Sequence, residues 1–173
     1  MAKVINIVGC KSNVGKTFVM EGLIRELKAR NYKVATIKHD VHGFDIDHEG
    51  KDTYKHRVAG ADTVIISSKN RYAKIKEVQE EIGLDNIIKD IINENDVILV
   101  EGYKRSKLRK IEVYNSEISE NIISPKERLI AIASDKLFKY EDVEVLYKED
   151  FRSLVDLIEK EKEYKIENYW LYF

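Results

Sequence analysis

The sequence contains a single cysteine, a single proline and only eight glycines among its 173 residues. One cysteine cannot form a disulfide within the chain, which excludes a small scaffold held together by disulfides. Because proline and glycine are scarce, no linker or low-complexity stretch divides the chain, and we find no internal repeat. The length is sufficient for one domain with a real core, so we expect a single domain over residues 1–173.

The chain also lacks a strong net charge and a long apolar run. Its 30 basic and 31 acidic residues give a formal net charge of -1, so no overall field recruits nucleic acid or an anionic membrane. No stretch of about 18 apolar residues and no secretory signal pattern occurs. We expect a soluble cytoplasmic protein that binds neither nucleic acid nor membrane, in which any phosphate chemistry arises at a local site.

Short apolar stretches alternate with amphipathic ones along the chain. A strand "KVINIV", a helix "FVMEGLIRELKAR" and a strand "KVATI" make a βαβ start. Further strands are predicted at "ADTVIIS", "DVILV", "KIEVY" and "LIAIA", and further helices at "DNIIKDIINEN" and "DFRSLVDLIEK". The stretch "RYAKIKEV" fits either a strand or a helix. This alternation predicts an α/β fold with a mostly parallel sheet and helices on both faces, in three layers.

The stretch "GCKSNVGKT" between the first strand and the first helix resembles a phosphate-binding loop. The usual pattern requires glycine at position 10, but Cys10 stands there and the glycine, Gly9, comes one residue early. Cysteine does not take positive φ angles freely, so we expect Gly9 to make the tight turn. The chain is therefore predicted to be a P-loop NTPase, with these nucleotide-binding residues: Gly9, Cys10, Lys11, Ser12, Asn13, Val14, Gly15, Lys16 and Thr17.

Three residues of this loop have side chains that suit phosphate binding. Asn13 tolerates left-handed backbone, Lys16 would reach the β- and γ-phosphates, and the Thr17 hydroxyl would bind Mg²⁺. Magnesium held in this way usually needs a carboxylate at the end of a neighbouring strand, and "VILVEGYK" offers Glu101. We therefore predict Lys16 and Glu101 as catalytic residues, with Thr17 and Glu101 as metal ligands. The alternative is a strand-turn-helix in which GKT occurs by chance.

Further candidate residues follow the second and the last strand of the predicted sheet. Lys38 ends "KVATIK" and could contact a phosphate, because ligands bind at the carboxyl ends of parallel strands. The long loop after it contains Asp45 and Asp47, which could join the Mg²⁺ shell, although a solvated loop is an equal alternative. Its histidines match no recognised zinc spacing. Asp135 follows "LIAIAS" and is a candidate for reading the base.

Two long stretches resemble one known family. The segment "TIKHDVHGFDIDHEGKDTYKHRVAGADTV" is similar to the central signature of the molybdopterin-guanine dinucleotide biosynthesis protein B family (MobB), and "VEGYKRSKLRKIEVY" and "IAIASD" are similar to its later segments. The resemblance implies a GTP-binding accessory protein of molybdenum cofactor biosynthesis, with Mg²⁺ and slow GTP hydrolysis. It also implies a homodimer and a molybdopterin guanylyltransferase as partner, with a molybdopterin-type pterin as a further candidate ligand.

The same loop also fits other functions. Its length matches that of dethiobiotin synthetases, which favours an ATP-dependent kinase or ligase of that type as the alternative, and a scaffold that no longer binds nucleotide is a third. Lys11 precedes Lys16 by five residues, as in a deviant Walker A loop. We therefore predict that Lys11 reaches the nucleotide of its own subunit or of a dimer partner, unless it is a solvated surface lysine. The residues alone do not distinguish GTP from ATP.

Overall fold

Six parallel strands form the main sheet of this protein, whose computed structural model describes residues 2–166. The described residues contain eight strands: β1 (Lys3–Val8), β2 (Val34–Lys38), β3 (Thr63–Ser68), β4 (Arg71–Lys76), β5 (Val97–Glu101), β6 (Arg109–Tyr114), β7 (Leu129–Ser134) and β8 (Glu144–Tyr147). The same part of the chain forms four α-helices: α1 (Lys16–Ala29), α2 (Asp52–Val58), α3 (Leu84–Ile91) and α4 (Phe151–Lys160). A single 3-10 turn, Lys126–Arg128, precedes β7 within these residues.

The main sheet has the strand order β2-β5-β1-β6-β7-β8, and every pair in it is parallel. Because all strands run in the same direction, their carboxyl ends meet at one edge. The chain moves to one side of β1 to form β2 and to the other side to form β6, so β1 lies where the strand order reverses. The predicted α/β fold with a mostly parallel sheet flanked by helices is confirmed.

One face of the sheet packs against α1 and α4 mainly through apolar side chains. Strand residues such as Ile5, Ile7, Ile111 and Val113 alternate along β1 and β6 and are fully or almost fully buried. The two helices contribute Val19, Met20, Leu23, Leu27, Leu154, Val155 and Ile158 to the same cluster. Asp150 caps α4, because its side chain accepts a hydrogen bond from Ser153 N at 3.1 Å. This face forms the main hydrophobic core.

The opposite face includes buried polar side chains. Asn6, Lys110 and Glu112 point there by the alternation of β1 and β6, and each is at most 1% exposed. Apolar neighbours on that face include Ile98 and Val100, and Ile88 of α3 is fully buried too. A buried polar group is costly unless it is hydrogen-bonded, so these three residues indicate specific contacts on this face.

The chain divides into two compact units, of which the second comprises Asp40–Ile87. This unit contains α2 and an antiparallel hairpin of β3 and β4, a separate two-stranded sheet. The stretch "RYAKIKEV" is therefore a strand, and "ADTVIIS" does not join the parallel sheet as the sequence suggested. Ile65 and Ile66 are 55% and 54% exposed, so their apolar character does not reflect burial in this chain.

Two elements have no counterpart in the sequence-based predictions. Strand β8 has only four residues, partly exposed, and α2 has no buried residue, so neither gives a strong hydrophobic pattern. That residues 1–173 act as one domain stays a prediction. The first residue and the last seven residues of this range lie outside the described part of the chain. Within residues 2–166, no helix has both the length and the apolar character needed to cross a membrane.

Candidate functional site

Most of the predicted site residues lie at the carboxyl edge of the main sheet. The loop of residues 9–15 follows β1, Lys38 ends β2, Glu101 ends β5 and Asp135 follows β7. Glu101 is in register with Ile7 of β1 on one side and with Lys38 of β2 on the other. The sheet therefore brings the loop, the carboxylate and one lysine together where ligands of parallel sheets bind.

The backbone of the loop explains how it tolerates Cys10. Positive φ angles occur at Asn13 (65°) and Gly15 (106°), whereas Gly9 and Cys10 have none. The expectation that Gly9 is needed for a tight left-handed turn is therefore wrong. Space requires this glycine instead, because a Cβ there would lie 2.6 Å from Cγ2 of Val14 and 3.1 Å from the carbonyl oxygen of Val113. The predicted left-handed conformation of Asn13 is confirmed.

Lys16 begins α1 and folds back on the loop. Its Nζ donates a hydrogen bond to the carbonyl oxygen of Lys11 at 2.8 Å. Burial lowers the pKa of Lys16 below its usual 10.5, the nearby cations Lys104 and Lys38 lower it further, and Glu101 opposes the change. The positive charge of Lys16 is thus partly desolvated and close to other cations, an arrangement that an anionic ligand would stabilise.

Lys11 and Cys10 contact the segment that follows β6. Lys11 Nζ lies 3.1 Å from Glu120 Oε1, and both side chains are mostly exposed. Cys10 Sγ lies 3.3 Å from Ser119 Oγ, which also accepts a hydrogen bond from the backbone N–H of Asn115. Exposed ion pairs contribute only about 0–1 kcal/mol, so the pair does not fix Lys11 in place. That Lys11 reaches a nucleotide stays a prediction.

The other loop side chains differ in exposure. Val14 is fully buried in the main core, so only its backbone faces the loop interior. Ser12 and Thr17 are exposed, which leaves their hydroxyl groups accessible from solvent. Glu101 is half-buried, and its carbonyl oxygen accepts a hydrogen bond from His39 N at 3.0 Å. The hydroxyl of Thr17 and the carboxylate of Glu101 are oxygen ligands of the kind that Mg²⁺ prefers.

Asp45 and Asp47 belong to the second unit, in which both carboxylates have partners. Asp45 Oδ1 lies 3.2 Å from Nη2 of Arg57, and Asp47 Oδ1 accepts a hydrogen bond from Thr53 Oγ1 at 3.0 Å. Among residues 2–166, no three His, Cys, Asp or Glu side chains form a group that could hold a metal ion. The two aspartates thus have contacts that stabilise their own unit, and their predicted role in a Mg²⁺ shell stays untested.

Asp135 is held by the segment after β6. Its two carboxylate oxygens accept hydrogen bonds from the backbone N–H and the hydroxyl of Ser116, each at 2.8 Å. Burial alone would raise the pKa of Asp135, but the hydrogen bonds from Ser116 outweigh it and leave the pKa below the usual 3.8. Asp135 is therefore a fixed, ionised acceptor at the sheet edge.

Sequence reasoning missed a second set of residues near the loop. Lys104 follows Glu101 by three positions, and its Nζ donates a hydrogen bond to the carbonyl oxygen of Cys10 at 2.9 Å. Beside it, Asn6 and Lys110 hydrogen-bond the segment after β5 from the polar face of the sheet. One signal was available: polar residues interrupt the otherwise apolar strands "KVINIV" and "KIEVY".

A family model and the curated relatives that match this chain point to the same family. Residues 4–135 match the model of MobB, described as molybdopterin guanine dinucleotide synthesis protein B. The chain is 34% identical over 153 residues to the molybdopterin-guanine dinucleotide biosynthesis adapter protein of Escherichia coli, covering 85% of this chain and 86% of that protein. It is also 34% identical over 125 residues to the Haemophilus influenzae protein of the same name, covering 72% and 70% of the two chains.

Solved structures support the same fold. The crystal structure of Bacillus subtilis MobB superposes with a TM-score of 0.73 at 20% sequence identity, covering 92% of this chain and 99% of that one. A second crystal structure, of molybdopterin-guanine biosynthesis protein B, gives a TM-score of 0.68 at 22% identity and covers 90% and 97% of the two chains.

Proposed function

Since the chain belongs to the molybdopterin-guanine dinucleotide synthesis protein B family, we propose that it is an adapter of molybdopterin guanine dinucleotide formation. In this role it binds GTP with Mg²⁺ at the loop of residues 9–17 and hydrolyses it slowly. Its main output is a nucleotide-dependent complex in the cytoplasm. The relatives named above carry the adapter description, and the nucleotide site is inferred from this chain's own residues.

One observation carries the nucleotide proposal: a glycine-flanked loop between the central strand and a helix, with Glu101 in register beside that strand. Backbone N–H groups at a helix N-terminus favour anions. The desolvated charge of Lys16 adds a cation that phosphate would stabilise. A coincidental GKT sequence does not account for a carboxylate and three lysines at the same sheet edge.

Magnesium fits the side chains at this edge. Glu101 supplies a carboxylate close enough to Lys16 to raise its pKa, and Thr17 supplies an exposed hydroxyl at the start of α1. These two residues would hold the ion, which when bound would neutralise charge on the phosphates. Lys16 and Lys38 would bind and orient the phosphate oxygens.

The proposal can be tested by thermal unfolding with GTP, GDP and ATP, each with and without Mg²⁺. A nucleotide at a hundred times its dissociation constant should stabilise the protein by about 2.7 kcal/mol. Lys16→Ala should lose this stabilisation while the nucleotide-free variant stays folded. Glu101→Gln should retain GTP binding but lose most Mg²⁺-dependent hydrolysis. Unchanged affinity in Lys16→Ala would refute the assignment of the site.

Dethiobiotin-synthetase-like chemistry with ATP is the second candidate, and one feature favours it. Gly9 precedes the GKT end by the same spacing as in the loop of those enzymes. Stabilisation by ATP but not by GTP would support this alternative. Asp135 enters the same test, because its removal in Asp135→Ala should reduce the preference for guanine if its carboxylate reads the base.

A guanylyltransferase partner and a homodimer complete the proposal. The second unit exposes large apolar side chains that suit a protein contact: Val41, Phe44, Ile46, Val58, Ile65, Ile66, Tyr72 and Val78. Light scattering should report a dimer, and a tagged chain should copurify with a transferase that attaches GMP to molybdopterin. A monomer that captures no transferase would contradict this part of the proposal.

A further inference from the structure

The segment after β5, residues 102–108, leaves the sheet by an uncommon backbone path. Gly102 and Tyr103 both have positive φ angles, 92° and 44°. A Cβ at position 102 would lie 3.0 Å from Cβ of His39, so the turn also passes close to the end of β2. Left-handed backbone is unfavourable for a tyrosine and persists only where its surroundings hold it.

The polar face of the sheet holds this turn on one side. Asn6 Nδ2 donates hydrogen bonds to the carbonyl oxygen of Tyr103 at 3.1 Å and to Ser106 Oγ at 3.0 Å. Lys110 Nζ donates to the carbonyl oxygen of Ser106 at 2.8 Å. Asn6 and Lys110 are register partners on β1 and β6, and both are buried. These hydrogen bonds fix the segment relative to the strand that feeds the phosphate loop.

The end of β2 holds the turn on the other side. The ring of Tyr103 stacks on the ring of His39, with centroids 4.4 Å apart and an interplanar angle of 27°. The backbone N–H of His39 donates to the carbonyl oxygen of Glu101. Lys104 is the residue that follows the turn at Gly102 and Tyr103, which has contacts on both sides. Its ammonium group is thereby placed on the carbonyl oxygen of Cys10.

We propose that Lys104 binds the terminal phosphate of a nucleoside triphosphate, as a second cation beside Lys16. This inference rests on the proposed nucleotide-binding function. In the structure the Lys104 ammonium is bonded to a neutral carbonyl, and a phosphate oxygen is a stronger acceptor because it is charged. Lys104 is exposed, so its ammonium group is accessible to a ligand that enters from solvent.

Charge explains why Lys104 is a better candidate than Lys11. Lys104 and Lys16 donate to the carbonyl oxygens of adjacent loop residues, Cys10 and Lys11, and two ammonium groups on the same loop repel each other unless anionic charge lies between them. Lys11 instead pairs with the carboxylate of Glu120, which already balances its charge. The added charge of a terminal phosphate would therefore be recognised mainly by Lys16 and Lys104.

Isothermal titration with a triphosphate, the matching diphosphate and the monophosphate tests this role at constant Mg²⁺. Whichever of GTP and ATP binds the wild-type protein defines the series. Lys104→Ala should weaken triphosphate binding by about tenfold or more, with a markedly smaller loss for the diphosphate and none for the monophosphate. Lys104→Arg should retain most of the affinity. Lys107→Ala is the matched control, because it removes an exposed lysine of the same segment.

Lys16→Ala in the same series separates this inference from the broader proposal. If Lys16→Ala loses binding while Lys104→Ala behaves like Lys107→Ala, the role of Lys104 is refuted and the nucleotide site stands. Equal losses of triphosphate and diphosphate affinity in Lys104→Ala would also refute it. If the wild-type protein binds no nucleotide, both proposals fail. An unchanged denaturation midpoint for nucleotide-free Lys104→Ala would show that any loss is not due to unfolding.

Discussion

The two faces of the six-stranded sheet use the same strands for different purposes. In β6, Ile111 and Val113 point into the apolar core shared with α1 and α4, whereas Lys110 and Glu112 point to the opposite face. Each buried polar side chain of that second face hydrogen-bonds a loop. Asn6 and Lys110 hold residues 103–106, and Glu112 accepts from the backbone N–H groups of residues 123 and 124.

The two faces therefore separate the contribution of apolar burial from that of hydrogen bonds. Apolar burial is strong but non-directional, so the α1 and α4 face stabilises the fold without specifying where loops lie. Hydrogen bonds contribute little net stability but are directional, and leaving one unmade is costly. The polar face should therefore determine loop positions at the site. Substitutions on the two faces test this distinction, and they follow from the largest expected change in the free energy of unfolding to the smallest.

The apolar face should give the largest loss of stability. Leu23 of α1 is fully buried, so Leu23→Ala should lower the free energy of unfolding by about 2–5 kcal/mol. Nucleotide affinity, measured where the variant is still folded, should change little. Ile24→Ala is a matched control because that side chain is only partly buried beside the core, and it should cost less. An equal loss in both variants would contradict this packing.

Glu112→Gln should have an intermediate effect. The two oxygens of Glu112 accept hydrogen bonds at 2.8 Å from the backbone N–H groups of Ile123 and Ser124. Glutamine replaces one oxygen by a donor, which leaves one of these N–H groups facing another N–H group. We expect a loss of about 1–3 kcal/mol in chemical denaturation. Faster hydrogen exchange confined to residues 123 and 124 would confirm the cause, and unchanged exchange there would contradict it.

Asn6→Leu should affect the site more than the fold. Its Nδ2 holds the segment after β5, but its buried Oδ1 has no hydrogen-bond partner in the structure. Leucine takes the donor away from Tyr103 and Ser106 but also removes the unpartnered Oδ1, so the two effects oppose each other and the free energy of unfolding should change by about 1 kcal/mol or less. Triphosphate binding, if it depends on Lys104, should weaken because the turn at Tyr103 is less constrained. A large loss of stability with normal triphosphate binding would contradict the view that the polar face positions loops rather than stabilises the fold.

At neutral pH the pH dependence of Lys110 should give the smallest effect, because it changes stability only between its lowered pKa and 10.5. Burial lowers the pKa of Lys110 below 10.5, Arg128 lowers it further and Glu112 opposes the change. Between the lowered pKa and 10.5, the unfolded chain binds a proton that the folded chain does not, so wild-type stability rises with pH in that window. The free energy of unfolding of the wild type minus that of Lys110→Met should therefore increase toward pH 10.5, by less than about 1.4 kcal/mol per pH unit. A difference that falls with pH would contradict this sign.

The sequence predicted the parallel sheet well because its central strands are buried on both sides. Stretches such as "DVILV" and "LIAIA" have no polar alternation, and β5 and β7 form there. The hairpin of β3 and β4 was harder to predict because its exposed Ile65 and Ile66 resemble a buried strand. Exposure depends on neighbours that a local pattern does not contain.

The positions of the candidate residues were predictable where a motif ties a residue type to one place in the fold, and their roles stay predictions. Lys16, Thr17 and Glu101 follow from the loop and the strand-end carboxylate, and the structure brings the loop and Glu101 together at one edge. Lys104 lies within the family-like segment "VEGYKRSKLRKIEVY", but no role for it was predicted, because exposed lysines are common and its hydrogen bond to Cys10 depends on a turn with two positive φ angles. The crowding at Gly9 was equally hidden, because it arises from the way the loop folds Val14 back toward Gly9 and from a carbonyl oxygen of β6.

The central position of β1 also determines when the site can form during synthesis. The strand before the loop of residues 9–15 pairs with β5 and β6, which begin at Val97 and Arg109. The helix after the loop packs on α4, and a Cβ at Gly22 would lie 2.1 Å from the ring of Phe151. A ribosome therefore releases the loop long before its supporting elements exist. The proposed nucleotide binding should therefore be among the last properties that the nascent chain acquires, because it requires a nearly finished sheet.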